Sequence, residues 1–484
     1  MPDPDDVRIG GVLGEIVARK RIDVRARLGT ATLGELGARA SRSTLSLSAA
    51  LAKPGARFVM EIKRASPSEG ALADIDPGTV ARAYRGAADA VSVLTDTPYF
   101  GGSFADLAAV RLAFDGPVLC KDFVVDPRQI AEARLYGADA VLIMLSVLDD
   151  VGARACLATA ERLGMEALVE AHDEAEVLRA VALGARIVGI NNRDLKTLRV
   201  DLATTEALAH LVPVDRILIS ESGISTRADV ERLSPHVDAF LVGSSLMKAA
   251  DPAAAARALA FGRVKVCGLT SAEDIVVARQ SGASFAGLIM VPGTPRAVTA
   301  EAARRLAAGA DMHVVGVFRD ADQDIVVEFG TDAQPAAIQL HGSEDRSYIT
   351  SLQAKLPTGC EIWAAVTVRD EAPRARQGAT RMLFDTGAGG TGRTFDWSRV
   401  AGRDDLPGGI LAGGLDQANA ADAARVGAWA LDVGSGVEAS PGRKDPAKLA
   451  AFFDALRMSS RTDVERNAFL QRDAATRITA QESS

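Results

Sequence analysis

Short runs of apolar residues recur along the chain, and the stretches between them carry apolar residues at helical spacing. The runs are nearly continuous in Val, Ile, Leu and Ala, which is typical of parallel strands buried on both faces. The intervening segments, such as 126–136 and 174–183, are predicted to be amphipathic helices. The first set of predicted strands covers residues 58–63, 90–94, 118–121, 140–145, 166–170, 187–191, 217–221 and 239–243.

A second set of strands follows the first and has the same number of members. Its runs cover residues 264–267, 285–290, 313–318, 337–340, 361–366, 382–385, 409–412 and 430–433. Strand–helix alternation repeated eight times is the pattern of a closed parallel barrel, so the sequence predicts an α/β protein with two tandem (β/α)8 (TIM) barrels. An open doubly wound sheet, which also alternates strands and helices, remains an alternative on periodicity alone.

The pattern also divides the chain. Residues 1–57, with an amphipathic helix around 12–27, are predicted to form a helical extension of the first barrel, which spans 58–256. The second barrel spans 257–457, because the Ala-rich stretch 251–262 indicates a helix that runs into its first strand. Residues 458–484 are polar and are predicted to be a disordered tail.

Composition narrows the partners and the compartment. The 484 residues carry a net charge of −8 at pH 7, which disfavours nucleic acid and anionic membranes as partners. The 4 cysteines have no zinc-ligand spacing and are too few for a disulfide framework, which favours a reducing cytoplasm. We see neither a signal peptide nor an apolar run long enough to span a membrane.

Charged residues collect at the predicted carboxyl ends of the first eight strands, where barrel enzymes place their reactive groups. Glu61 and Lys63 are two apart and share a face, as do Asn191 and Arg193. Burying so many charges around one mouth is costly unless they pair or meet a charged substrate. A structural ion-pair network is the alternative for any single residue, but the whole ring favours a catalytic site: Glu61, Lys63, Lys121, Glu170, Asn191, Arg193 and Glu221.

Glycine and serine follow the last two strands of both sets, which is where barrels bind phosphate through backbone N–H groups. Matching pairs in both barrels predict two phosphorylated substrates, although each pair alone could be a tight turn. The residues are Ser222, Gly223, Gly243 and Ser244 in the first barrel, and Gly413, Gly414, Ser435 and Gly436 in the second. The second barrel also places Cys267, Arg296 and Asp385 at strand ends or in the loops after them. A thiolate at Cys267 could act as a base, although a lone cysteine is more often an inert core residue.

Several motifs together resemble two known families. The first half resembles indole-3-glycerol-phosphate synthases through EIKRASPS at 61–68, LCKDF at 119–123, INNRDL at 190–195, SESGI at 220–224 and LVGSS at 241–245. The second half resembles phosphoribosylanthranilate isomerases through KVCGLT at 265–270, QLHG at 339–342, FDT at 384–386, GGTG at 389–392, LAGGL at 411–415 and SGVE at 435–438. The resemblance covers about 8–250 and 263–455, and the tail after Met458 matches neither family.

The resemblance implies two consecutive reactions of tryptophan biosynthesis. In the second half, Asp385 would protonate the ring oxygen of N-(5′-phosphoribosyl)anthranilate, Cys267 would remove the C2′ proton, and Arg296 would hold the anthranilate carboxylate. In the first half, Lys121 would be the general acid that promotes ring closure of the product, with loss of carbon dioxide and water. The division of acid and base work among Glu61, Lys63, Lys121 and Glu170 stays open. Neither a cofactor nor a metal is implied, and a monomer is expected.

Two rival hypotheses remain at this stage. One is a Schiff-base aldolase that uses Lys63 or Lys121, which would be trapped by borohydride. The other is a phosphosugar-binding tandem barrel with only one active half. The paired reactive residues in both halves, Lys121 with Glu170 and Cys267 with Asp385, disfavour the second rival.

Overall fold

The computed structural model describes residues 11–67, 70–72, 75–195, 197–369, 374–387 and 392–463. These residues form two compact units, one made of 11–260 together with 458–463, and one made of 261–457. Ser68, residues 389–391 of the GGTG motif and residues 464–484 of the predicted tail lie outside the described residues. None of the helices in the described ranges has the length and apolar character that crossing a membrane requires.

The first unit contains a closed barrel of eight parallel strands in which chain neighbours are also sheet neighbours. The first strand closes the ring by pairing with both the second and the eighth. All eight predicted strands are confirmed, with differences of a residue or two at their ends. Their bounds are Arg57–Ile62, Ala90–Leu94, Val118–Lys121, Ala140–Met144, Glu166–Ala171, Ile187–Asn191, Ile217–Glu221 and Ala239–Val242.

The second unit contains another closed barrel of eight parallel strands in chain order. The seventh strand is only two residues long, shorter than the predicted 409–412. Because both barrels are closed, the open doubly wound sheet is excluded for both halves. The strand bounds are Arg263–Cys267, Phe285–Ile289, His313–Phe318, Ala337–Leu340, Glu361–Thr367, Arg381–Asp385, Ile410–Leu411 and Ala430–Val433.

Helices connect most of the strands, and many begin at a side-chain cap such as Asp149, Asp173 or Ser271. In the first unit the α-helices are Gly11–Leu28, Leu33–Arg39, Leu47–Leu51, Pro77–Tyr84, Thr97–Phe100, Phe104–Ala113, Arg128–Leu135, Asp150–Arg162, Glu174–Ala182, Ala203–Leu208, Arg227–Leu233 and Ser244–Met247. Pro252–Phe261 precedes the second barrel, whose α-helices are Ala272–Ser281, Ala300–Ala308, Gln323–Ala333, Arg346–Lys355, Ala420–Arg425 and Pro446–Ala455.

The alternation is less regular than predicted in one place. Between the sixth and seventh strands of the second barrel, the described residues form the short 3-10 turns Trp397–Arg399 and Leu406–Gly408 instead of an α-helix. A third 3-10 turn, Ser435–Val437, follows the eighth strand, and a fourth, Ala209–Leu211, lies in the first unit. Two small antiparallel hairpins pair Ala65–Ser66 with Gly70–Ala71 and Glu438–Ser440 with Arg443–Lys444.

The two barrel interiors are filled differently. Aliphatic side chains such as Leu119, Leu168 and Ile219 dominate the first interior. The second contains the fully buried Trp363, whose ring lies edge-on to Phe285 with centroids 5.2 Å apart. In both barrels these side chains close the interior below the mouth, so that the free space lies at the carboxyl ends of the strands.

The segment after the second barrel belongs to the first unit. Arg461 is 6% exposed, and its guanidinium donates to the Val212 and Arg216 carbonyls at 2.9 and 2.7 Å and to the Asp238 carboxylate at 2.9 Å. The Ala56 amide donates to the Met458 carbonyl at 2.8 Å. These partners lie at the amino ends of the first, seventh and eighth strands, opposite the mouth. The prediction of a disordered tail is therefore wrong for residues 458–463, because a buried arginine anchors them.

Candidate active sites

The mouth of the first barrel is organised around one ammonium group. Lys121 Nζ lies 2.8 Å from Glu221 Oε2, 3.4 Å from Glu61 Oε2 and 3.9 Å from Glu170 Oε2. A second ammonium, on Lys63, lies 3.0 Å from Glu61 Oε1. The structure thus brings together five of the charged residues that the sequence analysis selected, from the first, third, fifth and seventh strands.

Two glycines, one on the sixth strand and one directly after the eighth, make room for this cluster. A Cβ atom at Gly189 would lie 2.1 Å from Glu221 Oε1, and one at Gly243 would lie 2.4 Å from Glu61 Oε1. Neither position tolerates a side chain while the carboxylates hold these conformations. Gly243 was selected as a phosphate ligand, and the structure gives it this second role, which sequence spacing does not reveal.

Burial and neighbouring charges shift the pKa values of Glu221 and Lys121. Burial, reinforced by the nearby Glu170 charge, raises the pKa of Glu221 to about 8 against the opposing effect of Lys121. Burial opposes the charged form of Lys121, but Glu221, Glu61 and Glu170 together raise its pKa above the ordinary value. The surroundings therefore favour the charged form of Lys121, while burial disfavours the charged form of Glu221.

A histidine outside the selected set adjoins the cluster. His172 Nε2 lies 3.2 Å from Glu170 Oε1, and its Nδ1 lies 3.1 Å from Glu176 Oε2. Burial alone would raise the pKa of Glu170, but the hydrogen bond and charge of His172, with help from Lys121 and Asn191, lower it to about 2. The two carboxylates in turn overcome burial and raise the pKa of His172 to about 10. Glu170 is therefore held ionised.

The same mouth opens into a cavity of about 500 Å³. Its walls include the selected polar residues Asn191, Arg193, Ser222, Gly223 and Ser244, and also Lys248. The sequence analysis missed the apolar half of the wall, because its members come from separate strands, loops and the amino-terminal helix: Leu13, Ile16, Phe100, Phe123, Leu142, Met144 and Leu195. An apolar wall opposite a charged ring suits a ligand with both an aromatic and an anionic part.

The loop after the seventh strand turns sharply at two consecutive residues with positive φ. Ser222 and Gly223 both have positive φ, 66° and 86°. Asn192, which is buried, donates to the Ser222 carbonyl at 3.0 Å and so fixes the turn. A Cβ atom at Gly223 would lie 2.5 Å from Val200 Cγ1, which explains the need for glycine there.

The mouth of the second barrel opens into a smaller cavity, of about 150 Å³. Cys267, Arg296 and Asp385 line it together with the selected Gly413, Gly414 and Ser435. Gly436 does not line the cavity: a Cβ atom there would lie 2.0 Å from the Leu415 carbonyl oxygen, so this glycine serves close packing of two loops. Gly434, directly after the eighth strand, also lines the cavity.

Arg296 is held by an internal carboxylate. Its Nε and Nη2 lie 2.9 and 2.7 Å from the Glu438 carboxylate, which also pairs with Lys444 at 3.0 Å. The hydrogen bond and charge of Glu438 raise the pKa of Arg296. A substrate carboxylate at this arginine must therefore share its guanidinium with Glu438 or displace Glu438.

Asp385 is paired with a histidine that the sequence analysis placed in a motif but gave no role. His341 Nε2 lies 3.2 Å from Asp385 Oδ2. Burial opposes the charged form of Asp385, yet the hydrogen bond and charge of His341 and the Thr386 amide lower its pKa. The surroundings of Asp385 therefore favour its ionised form.

The comparisons with known proteins agree with this geometry. The family model "Indole-3-glycerol phosphate synthase" matches residues 13–259, and "N-(5'phosphoribosyl)anthranilate (PRA) isomerase" matches 264–455. The chain is 46% identical to "Tryptophan biosynthesis protein TrpCF" of Yersinia pestis over 92% of its own length and 94% of that protein's. It is 45% identical to the protein of the same name from Salmonella typhi, over 92% and 99%.

Among solved structures, the phosphoribosyl anthranilate isomerase from Thermus thermophilus is 31% identical, with a TM-score of 0.36, and the match covers 40% of this chain and 98% of that one. The two family matches together run through both barrels without overlapping. The chain therefore belongs to the indole-3-glycerol phosphate synthase family in its first barrel and to the phosphoribosylanthranilate isomerase family in its second.

Proposed function

We propose that the two barrel mouths perform the two family reactions in succession, with the side chains described above in named roles. The chain is a bifunctional enzyme of tryptophan biosynthesis. The second barrel isomerises N-(5′-phosphoribosyl)anthranilate, and the first closes the product to indole-3-glycerol phosphate. The assignment of individual residues is the proposal, and it rests on their convergence at two cavities.

In the second mouth, Asp385, which has His341 beside it, donates a proton to the furanose ring oxygen, and the ring opens to a Schiff base. Cys267, as thiolate, then takes the C2′ proton, and the resulting enolamine tautomerises to the ketone. Arg296 holds the anthranilate carboxylate. The loops of Gly413, Gly414, Ser435 and Gly436 hold the phosphate, with Gly434 beside them.

In the first mouth, Lys121 donates a proton to the substrate carbonyl while the anthranilate ring carbon that bears the carboxylate attacks it. Carbon dioxide then leaves and the ring becomes an aromatic indole once water is lost, with Glu170 or Lys63 assisting the proton transfers. Asn191, Arg193 and Glu221 orient the substrate beside Glu61. The phosphate binds at Ser222, Gly223, Gly243 and Ser244.

The observation that carries this assignment is the position of Lys121 Nζ within 3.9 Å of three carboxylates from three different strands. A buried ammonium with this surrounding stays charged and can donate a proton to a carbonyl. An aldolase lysine must instead become neutral to attack a carbonyl carbon. The raised pKa of Lys121 therefore favours the general acid over the Schiff-base nucleophile.

The test uses two variants of the full chain. Lys121→Ala is expected to lower ring closure by at least about 10²-fold and to leave isomerisation unchanged, and Cys267→Ala is expected to do the reverse. Loss of phosphoribosylanthranilate fluorescence reports the isomerase, and formation of indole-3-glycerol phosphate from the purified intermediate reports the synthase. A folded variant that loses both activities, or covalent trapping of the substrate on Lys121 by borohydride, contradicts the assignment.

We propose that the enzyme works as a monomer, because the described residues of each mouth supply charged and polar groups for every role above from one chain. We propose a cytoplasmic location, because the four free cysteines fit a reducing compartment. Sedimentation of the purified protein and fractionation of its host cells test these two points.

A further inference from the structure

A buried ion pair lies directly beneath the proposed base of the second barrel. Lys265 is fully buried, and its Nζ lies 2.9 and 3.0 Å from the two carboxylate oxygens of Asp432. The two residues face each other in register on the first and eighth strands. Replacing such a pair by apolar residues is often neutral or stabilising, so its presence in a barrel interior calls for a reason other than stability.

The lysine also adjoins the cysteine. Lys265 and Cys267 are two apart on one strand and therefore project to the same face. Gly287 stands opposite Cys267 on the second strand, and a Cβ atom there would lie 2.8 Å from Lys265 Cε and 3.1 Å from Cys267 Sγ. The missing side chain leaves the space in which the lysine stem and the sulfur lie together.

Charge at this position acts directly on the thiol. Burial raises the pKa of Cys267, Lys265 opposes that rise through its charge and hydrogen bond, and Asp432 reinforces it. The other charged or titratable groups near the sulfur come from four further segments: Lys444, whose Nζ lies 2.7 Å from the Cys267 carbonyl oxygen, and Arg296, His341 and Asp385 on the cavity wall.

We propose that Lys265 is a positioning residue that stabilises the thiolate of Cys267, and that Asp432 sets how much of the lysine charge reaches the sulfur. When the thiol loses its proton, the sulfur becomes an anion on the same strand face as the Lys265 ammonium. Because Lys265 is fully buried, water does not screen its charge. The Lys265 ammonium therefore stays beside the sulfur in both states of the thiol. Asp432 holds the ammonium there when the thiol is neutral. This inference rests on the proposed role of Cys267 as the base.

The test compares three variants of the full chain with the parent: Lys265→Met, Asp432→Asn and the double variant. The pH dependence of iodoacetamide alkylation, read by mass spectrometry on the peptide that contains Cys267, gives the thiol pKa without reference to activity. The expected order of that pKa is Asp432→Asn lowest, then the parent, then the double variant, then Lys265→Met. A shift of one unit changes the alkylation rate below the pKa about tenfold.

The double variant keeps the test decisive if Lys265→Met fails to fold, because it removes both charges and leaves neither partner unpaired. A double variant whose Cys267 pKa equals or falls below that of the parent overturns the proposal, as does a shift of both single variants in the same direction. Ring closure by the first barrel, which is expected to stay unchanged, shows that the chain is intact.

The isomerase pH profile separates this proposal from the one on which it rests. If Cys267 is the base, the alkaline rise of kcat/KM moves with the thiol pKa across the variants. If the alkylation order is as expected while the isomerase profile stays fixed, Lys265 controls the thiol and the role of Cys267 as base is wrong.

Discussion

The two barrel mouths handle protons with different arrangements of charge. The first gathers Glu61, Glu170 and Glu221 around Lys121, so that one ammonium has three acidic partners. In the second, Asp385 has His341 as its ion partner, and Cys267 lies above the buried pair of Lys265 and Asp432. The proposed ring closure needs several proton transfers and the loss of carbon dioxide, and its site has several carboxylates around one lysine. The proposed isomerisation needs one acid and one base, and each of them lies next to a separate ion pair or partner. The difference predicts that a single substitution lowers the activity of the first mouth less than a single substitution lowers the activity of the second.

The largest expected effect tests this difference directly. Asp385→Asn replaces the proposed general acid of the second mouth and is expected to lower isomerase kcat/KM by about 10³-fold. Glu61→Gln in the first mouth is expected to lower ring closure only about tenfold, because Lys121 keeps Glu170 and Glu221 as partners. Steady-state kinetics of both reactions on both variants give the values. Equal losses of activity in the two variants would show that the remaining carboxylates do not compensate for the loss of Glu61.

An intermediate effect concerns His172. His172→Asn removes the cation that keeps the pKa of Glu170 near 2, so this pKa is expected to rise and protonation to begin at a higher pH. Ring closure should therefore fall about tenfold at pH 6 and less at pH 8, with the acid limb of the profile moved upward. His210→Asn, at an exposed position in the same unit, is the matched control. An acid limb that stays in place excludes this role for His172.

The smallest effect on activity, but a clear one on stability, is expected at the opposite end of the first barrel. Arg461→Ala leaves the buried Asp238 carboxylate without its ion partner and is expected to cost about 3 kcal/mol in the free energy of unfolding of that barrel. Arg186→Ala, whose side chain is 73% exposed, is the control and should change the free energy by less than about 0.5 kcal/mol. Denaturant unfolding followed by ring-closure activity gives both values. Equal midpoints for the two variants would mean that the contacts of Arg461 are not stabilising.

The barrel scaffold could be predicted from the sequence because its signal is local. Each strand is a short apolar run, and each reactive side chain sits at the end of one, as Lys121 and Cys267 do. The motif glycines were also found, but their individual roles were not. Gly436 is predicted from sequence as a phosphate ligand, but the sequence does not reveal that the Leu415 carbonyl of another loop leaves no room for a side chain there.

The groups that tune the reactive residues could not be predicted from spacing. His172 falls between the predicted strand 166–170 and the predicted helix 174–183, and only the fold places it between Glu170 and Glu176 as their common ion partner. Lys265 stands inside a strand, where the pattern predicts an apolar residue, and its partner Asp432 lies in the last strand of the same barrel. Such pairs depend on contacts between residues far apart in the chain, which periodicity does not encode.

The return of residues 458–463 to the first unit affects how the chain folds during synthesis. The strands of the first barrel end at Val242, yet the arginine that ties the amino ends of its seventh and eighth strands is Arg461. A ribosome adds roughly 5–20 residues per second, so the first barrel waits on the order of ten seconds or more for this contact while the second barrel emerges. During translation the first barrel therefore lacks the Arg461 contacts at the amino ends of its strands. It gains them only after the isomerase half has been made.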